Sequence, residues 1–426
     1  MTLMPDAASW SGTAGSVGKP MAWLGAAVFV ISLGYGAGLP LLKPYVAQFV
    51  PDGGSGTLAW HVGMLGGAYT FALFLFAPWW GRLSDRYGRN VVLMAGFATF
   101  LVGGAATALA PGLTLAYAAR VLAGAGAAAI MPTAQAYIAD VSTTMERNRR
   151  FVLLGSAAFV GFVSGPVFGS WLAGPVMDMT VDRMPAMVNW PALAVGLTCV
   201  PILLLAPWCL GRERPAPASP PAAAPSPDRR RFVHASMLLA LLASFAVGTF
   251  EAGFNLFGGE TLGLASTTLA VMFVTCSLAM LAAQATLLLP HVRQRINHRW
   301  VAGAFGASAL ALAFASAVPD AASLGLLIAV VATGAGMIGP VLSYELLERR
   351  AAARGALLGA QSAAANLGLA AGSVSAGALF PVQPAAPFWL AGLVLLFGAG
   401  AAWTYWGRAR DAETSAIKNL GGQGDD

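Results

Sequence analysis

From residue 81 the chain reads Gly81-Arg82-Leu83-Ser84-Asp85-Arg86-Tyr87-Gly88-Arg89-Asn90, with a long apolar run on either side, near 61–80 and 91–110. The two glycines permit a tight turn. Charges gathered between runs long enough to cross about 30 Å of hydrocarbon mark a loop at a membrane surface. Working outward, the same alternation continues in both directions. Apolar runs fall near 21–42, 61–80, 91–110, 114–138, 151–173, 188–209, 233–257, 266–289, 300–317, 322–345, 355–380 and 385–406, which predicts twelve spanning helices.

The composition of the 426-residue chain agrees: 57% of residues are hydrophobic and 10% charged, well short of the quarter or so expected of a soluble surface. The net charge of +6 comes from bases spread through short loops, with no aromatic-interleaved stripe of the kind that binds nucleic acid. Those bases report topology instead, because cytoplasmic loops retain lysine and arginine. With both termini inside, only Lys43 and Arg183 of the 24 bases fall outside, and Arg120 lies within the membrane. The opposite orientation would translocate nearly every base. The first apolar run is too long for a cleaved leader and has no small-residue cleavage site. Cys199, Cys209 and Cys276 sit in or beside apolar runs and read as packing residues, not as a disulfide framework or a zinc site.

The stretch from Arg212 to Arg231 holds six prolines among alanine and serine and cannot bury a core, so it reads as an extended linker. It divides the chain six helices from six. The halves echo one another: Arg150-Phe-Val-Leu-Leu-Gly155 opens the fifth run and Arg354-Gly-Ala-Leu-Leu-Gly359 the eleventh, as repeat-built transporters require.

The 81–90 loop resembles the signature loop of the major facilitator superfamily: a glycine, then Asp85-Arg86, then Gly88-Arg89. The resemblance implies a latch. Asp85 would face the N-terminus of the eleventh helix, near Gly355, where the helix dipole favours a carboxylate, and Arg89 would pair with Asp140 at the end of the fourth helix. Gly81, Asp85, Arg86, Gly88, Arg89 and Asp140 are the latch residues so implied. The corresponding second-half loop, residues 290–299, keeps its bases but lacks the glycines and the aspartate.

Two more stretches carry the likeness. Arg120-Val-Leu-Ala-Gly124-Ala-Gly126 is similar to the superfamily's buried-arginine motif, and Gly161-Phe-Val-Ser-Gly165-Pro166-Val-Phe-Gly169-Ser170 to the motif associated with its antiporters. A lone arginine in hydrocarbon costs roughly 3 kcal/mol on insertion scales and is normally kept for function. Glycines four apart let a neighbouring backbone approach, and the proline bends the helix.

Glu251, in Gly248-Thr-Phe-Glu251-Ala-Gly-Phe254-Asn255, is the one carboxylate in the middle of an apolar run. It lies roughly 12 Å from the outer end, at a depth similar to that of Arg120, and both residues could look into one cavity. Such a group exchanges a proton or attracts a cationic substrate; a static ion pair with Arg120 is the competing reading, and a misplaced helix boundary would leave it wet. Tyr35, Tyr69, Gln135, Phe254, Asn255, Gln361 and Asn366 are candidates for lining a path, with interhelical hydrogen bonding the blander alternative. Trp23, Trp79, Trp80, Trp208, Trp300, Trp403 and Trp406 fall near run ends and read as interfacial anchors, and His61 as a solvated imidazole.

The expected fold is all-α integral membrane, with twelve transmembrane helices in two six-helix bundles. The parts are a cytoplasmic tail (1–20), a first bundle (21–210), a Pro-rich cytoplasmic linker (211–232), a second bundle (233–407) and a cytoplasmic tail (408–426). The resemblance is strongest to the twelve-span drug:proton antiporters. It implies a non-enzymatic secondary transporter that exchanges protons for small amphipathic molecules, with an exporter of a native metabolite or siderophore, or a proton-coupled importer, as alternatives. Partners are the small-molecule substrate, protons and the lipid bilayer. Neither nucleic acid, cofactor nor metal is expected, no nucleotide-binding loop is present, and the unit is a monomer in a bacterial inner membrane.

Overall fold

The computed structural model describes residues 18–51, 54–142, 144–180, 189–210, 227–287, 289–293, 295–315, 321–348 and 354–408. Twelve long helices run through them: α1 (Gly18–Ala47), α2 (Ser55–Tyr87), α3 (Arg89–Ala108), α4 (Leu113–Val141), α5 (Thr144–Thr180), α6 (Trp190–Leu210), α7 (Pro227–Leu256), α8 (Ser266–Thr286), α9 (His298–Ala315), α10 (Ala321–Glu348), α11 (Arg354–Leu379) and α12 (Ala386–Ala401). Ten are apolar and long enough to span a bilayer by composition. α9 and α11 are not among them: α9 begins with His298-Arg299, and α11 is rich in glycine, alanine, serine and amides that pack against protein.

These sequences form helices despite abundant glycine and proline because hydrocarbon offers no partner for a free N–H or C=O. Pro40, Pro44, Pro78, Pro132 and Pro340 all sit inside helices. The turn between α2 and α3 rests on Gly88, whose φ of 95° disfavours any side chain. α7 ends in a wider π-type turn, Phe257–Thr261.

Two corrections to the sequence reading follow. α7 begins at Pro227 and so takes in the last six residues (227–232) of the expected linker, because proline fits the first turn of a helix, where its missing N–H is not needed. The rest of the linker (211–226), Arg183 and the tails 1–17 and 409–426 lie outside the described residues. In addition, three of the tryptophans assigned to the interface are core residues. Trp23, Trp80 and Trp406 are buried and donate Nε1–H to the Ile202 carbonyl (2.6 Å), the Ala125 carbonyl (2.6 Å) and Ser236 Oγ (2.9 Å). Position near a helix end could not tell a ring turned inward from one turned to lipid. Trp208 is 75% exposed and Trp79 and Trp403 are also outward, as interfacial anchors are.

Each half packs through glycine. Within the first half, α5 lies so close to α1 that a methyl group added at Gly165 would stand 2.6 Å from Ala37 N and Leu33 O, and one at Gly169 2.7 Å from Ala37 O; Gly161 abuts the Phe29 carbonyl. The second half repeats the arrangement between α11 and α7, where Gly368 and Gly372 abut the backbone of Leu241 and Phe245. Lipid tails are as apolar as leucine, so close backbone approach is what holds such helices together.

Candidate functional site

The two halves mesh at the end of the molecule opposite the 81–90 loop. There Gly63 and Gly67 of α2 lie against Ala370, Ser373, Val374 and Gly377 of α11, and Gly56 lies against Pro381. Leu42, Tyr45, Val46, Ala59, Val62 and Leu65 of the first half join one continuous apolar core with Phe250, Phe254 and Phe257 of α7 and its terminal turn. At the rim of this seam Lys43 Nζ lies 2.8 Å from Glu260 Oε1, an ion pair that ties α1 to the turn ending α7. Single-sequence reading placed Lys43 outside but had no means of pairing it with Glu260.

At the loop end the corresponding glycines are free of neighbours. A methyl group at Gly81, Gly88 or Gly359 would meet nothing within 4 Å, and the Asp85 side chain is 70% exposed. Arg89 gathers the charges there: its Nη1 donates to Asp85 Oδ1 (2.6 Å) and Ser84 Oγ (2.9 Å), and its Nε to Asp140 Oδ2 (3.1 Å). Asp85 thus accepts a charge-assisted hydrogen bond from Arg89, four residues on. The Arg89–Asp140 pair joins α3 to the end of α4 within the same half. Arg86 stacks over Tyr87 at 5.3 Å.

Midway between the two ends a polar line crosses the interface. Tyr35 of α1 donates its Oη hydrogen to Glu251 Oε2 of α7 at 3.0 Å, and Glu251 is buried. The Tyr35 ring stacks on Tyr69 (centroids 5.5 Å) and Phe162 (5.9 Å), and Tyr69 in turn carries the Arg120 guanidinium 5.2 Å from its centroid. Arg120 and Glu251 make no ion pair among the described residues; two aromatic rings stand between them. Arg120 lines a pocket of about 70 Å³ inside the first half, walled by α1, Tyr69 of α2, α3, α4 and the start of α6, and Glu251 is not part of its wall. Depth along the span was similar for both, but depth alone does not say toward which helix a side chain turns.

The remaining path candidates divide. Asn255 donates Nδ2–H to the Glu251 carbonyl at 3.2 Å, and its buried Oδ1 has no partner. Gln361 is spent on an α10–α11 contact, donating to Gly339 O and accepting from Ser343 Oγ. Phe254 is fully buried among Phe250 and Phe273. Gln135 and Asn366 are half-buried. Pro166 packs where Gly36 lets α1 approach. His61 is not simply solvated: its Nδ1 lies 2.9 Å from Tyr117 Oη. Among the described residues, no group of three or more His, Cys, Asp or Glu side chains is placed to hold a metal ion.

The family model of the Major Facilitator Superfamily matches residues 58–349. This chain belongs to that superfamily. It is therefore a multi-pass membrane transporter for small molecules and not an enzyme. Multidrug resistance protein 2 of Bacillus subtilis (strain 168) is 25% identical over 390 residues, covering 90% of this chain and 94% of the relative. Tetracycline resistance protein, class C, of Escherichia coli is 35% identical over 165 residues, covering 39% and 40%. Among solved structures, a bacterial homologue of the human lysosomal transporter Spinster, in an inward-facing and unoccupied conformation, superposes with a TM-score of 0.70 at 14% identity, covering 95% of this chain and 99% of that one. At that identity the likeness is one of fold.

Proposed function

We propose that this chain exports small amphipathic molecules in exchange for protons, with both termini and the 81–90 loop in the cytoplasm of a bacterial cell. The structure is then the state closed to the outside. The observation that carries the reading is the Tyr35–Glu251 hydrogen bond. A carboxylate buried in the middle of a span is expensive to keep and marks ion or proton movement. Here it is held by a residue of the opposite half, so any change in its protonation acts directly on the contact between halves. Full-length relatedness to a multidrug resistance protein supports the direction and the cargo class.

In this reading the ionised Glu251 faces cargo arriving from the cytoplasm, with Tyr35 holding the carboxylate in place. After the halves rock, a proton from the outside neutralises Glu251, weakens its hold on cargo and on Tyr35, and is carried in as the halves return. Antiport follows because one carboxylate cannot serve proton and cargo together. The test is acridine-dye quenching in inverted membrane vesicles energised to an acid interior. Adding an exported compound dissipates the gradient in the wild type, and Glu251→Gln abolishes that dissipation while the protein remains inserted. Undiminished dissipation in Glu251→Gln removes the carboxylate from the mechanism.

A further inference from the structure

The pocket inside the first half has a feature that proton exchange at Glu251 does not use. Its wall is mostly apolar, from Leu41, Leu42, Phe100 and Val195, with Arg120 as its one charged residue. The buried Nε of Arg120 has no hydrogen-bond partner, and among the described residues no carboxylate pairs with the guanidinium. The face of Tyr69 attracts the cation without satisfying its N–H groups. Gly38 leaves the approach open: a methyl group there would lie 3.6 Å from Arg120 Nη1. Asn189, at the start of α6, brings an amide to the same wall.

We infer that this pocket binds the carboxylate of a small aromatic or aliphatic acid, with Arg120 as its fork-shaped partner. The charge fixes the sign of the ligand, because a guanidinium with no carboxylate partner and a buried, unpaired Nε–H favours an anion. The apolar wall fixes the rest: a phosphate or sulfate dianion needs more donors than one guanidinium and one amide supply, whereas a monoanion on a hydrocarbon body satisfies both the arginine and the leucines. Resting on the export reading, in which the ionised Glu251 faces the cargo, the inference names the cargo class as molecules bearing a carboxylate beside a cationic group. Tyr69 and Tyr35 join this site to Glu251, so occupancy reaches the proton site through two stacked rings.

The test uses the full chain in nanodiscs and isothermal titration with benzoate at neutral pH, with empty nanodiscs as blank and the uncharged benzamide as comparison. Expected are saturable benzoate binding, at least tenfold weaker benzamide binding, and a loss of at least tenfold for benzoate in Arg120→Gln with partial return in Arg120→Lys. Gly38→Ile, which fills the approach while keeping the charge, is expected to block benzoate as well and carries the test should Arg120→Gln fail to fold. No saturable binding to the wild type, equal affinity for benzamide, or undiminished binding by a folded Arg120→Gln or Gly38→Ile overturns the inference. No proton gradient is present in the titration, so its outcome is independent of the vesicle experiment on Glu251.

Discussion

The seam between α2 and α11 gives the sharpest handle on alternation between states, and Gly63→Ala is the smallest change that probes it. A methyl group at this position would stand 2.5 Å from the Ser373 carbonyl oxygen, 2.7 Å from Gly377 Cα and 2.8 Å from Gly377 N, where ordinary contact begins at 3.4 Å. All three atoms are backbone, so no side chain can swing away, and the two helices must part by most of an ångström. Overpacking of this kind costs about 1–3 kcal/mol. The cost arises only while α2 and α11 mesh, since the nearest neighbours of Gly63 all belong to the other half. It therefore shifts the balance between closed and open seam by about 5- to 150-fold without loosening either bundle. The assay is labelling of a single cysteine at Leu42, a buried seam residue, in a background with the three native cysteines replaced. A membrane-impermeant maleimide is applied to intact cells. Labelling should accelerate by a factor in that range in Gly63→Ala and stay unchanged in Gly81→Ala, where a methyl group meets nothing within 4 Å. A Gly63→Ala rate within twofold of its parent would refute the argument that this contact holds the closed state.

Tyr35→Phe keeps the ring stacks on Tyr69 and Phe162 but removes the donor to Glu251; a hydrogen bond to a charged group is worth about 1.5–3 kcal/mol, so proton-driven export in vesicles should fall by about tenfold or more while protein level holds. Reversing one partner of the Lys43–Glu260 pair, as Lys43→Glu or Glu260→Lys, should speed labelling at Leu42 only about two- to fivefold, because both side chains are partly exposed at 23% and 29% and such pairs contribute about 1 kcal/mol or less; the double reversal should restore the parent rate. Gly165→Ala should lower the melting temperature in detergent by several degrees, since its methyl group would press on the α1 backbone at 2.6 Å at a cost of about 1–3 kcal/mol, whereas Gly155→Ala, with nothing within 4 Å, should not.

How much of this was legible beforehand differs by residue. The spans were, because hydrocarbon imposes one length and one secondary structure on any run that crosses it, and the turn at Gly88 was, because its positive φ shows as a glycine in the text. Glu251 and Arg120 stood out because a charge is conspicuous among apolar residues. Their partners did not. Tyr35 meets Glu251 across 216 positions of chain, Arg120 turns into its own bundle toward Tyr69, and Trp23 and Trp406 face inward although their positions read as interfacial. Gly63 and Gly377 look like any other glycines in a chain that has 51 of them.

Sequence by itself determined the solvent, the number of crossings, the six-and-six division and the superfamily likeness, since each follows from local composition and spacing. Only the tertiary structure decided which end is shut, which tyrosine holds the buried carboxylate and which pocket receives the unpaired guanidinium. Those are matters of rotation about a helix axis and of contact between distant segments. Among helices that are apolar all round, hydrophobic periodicity carries no record of either.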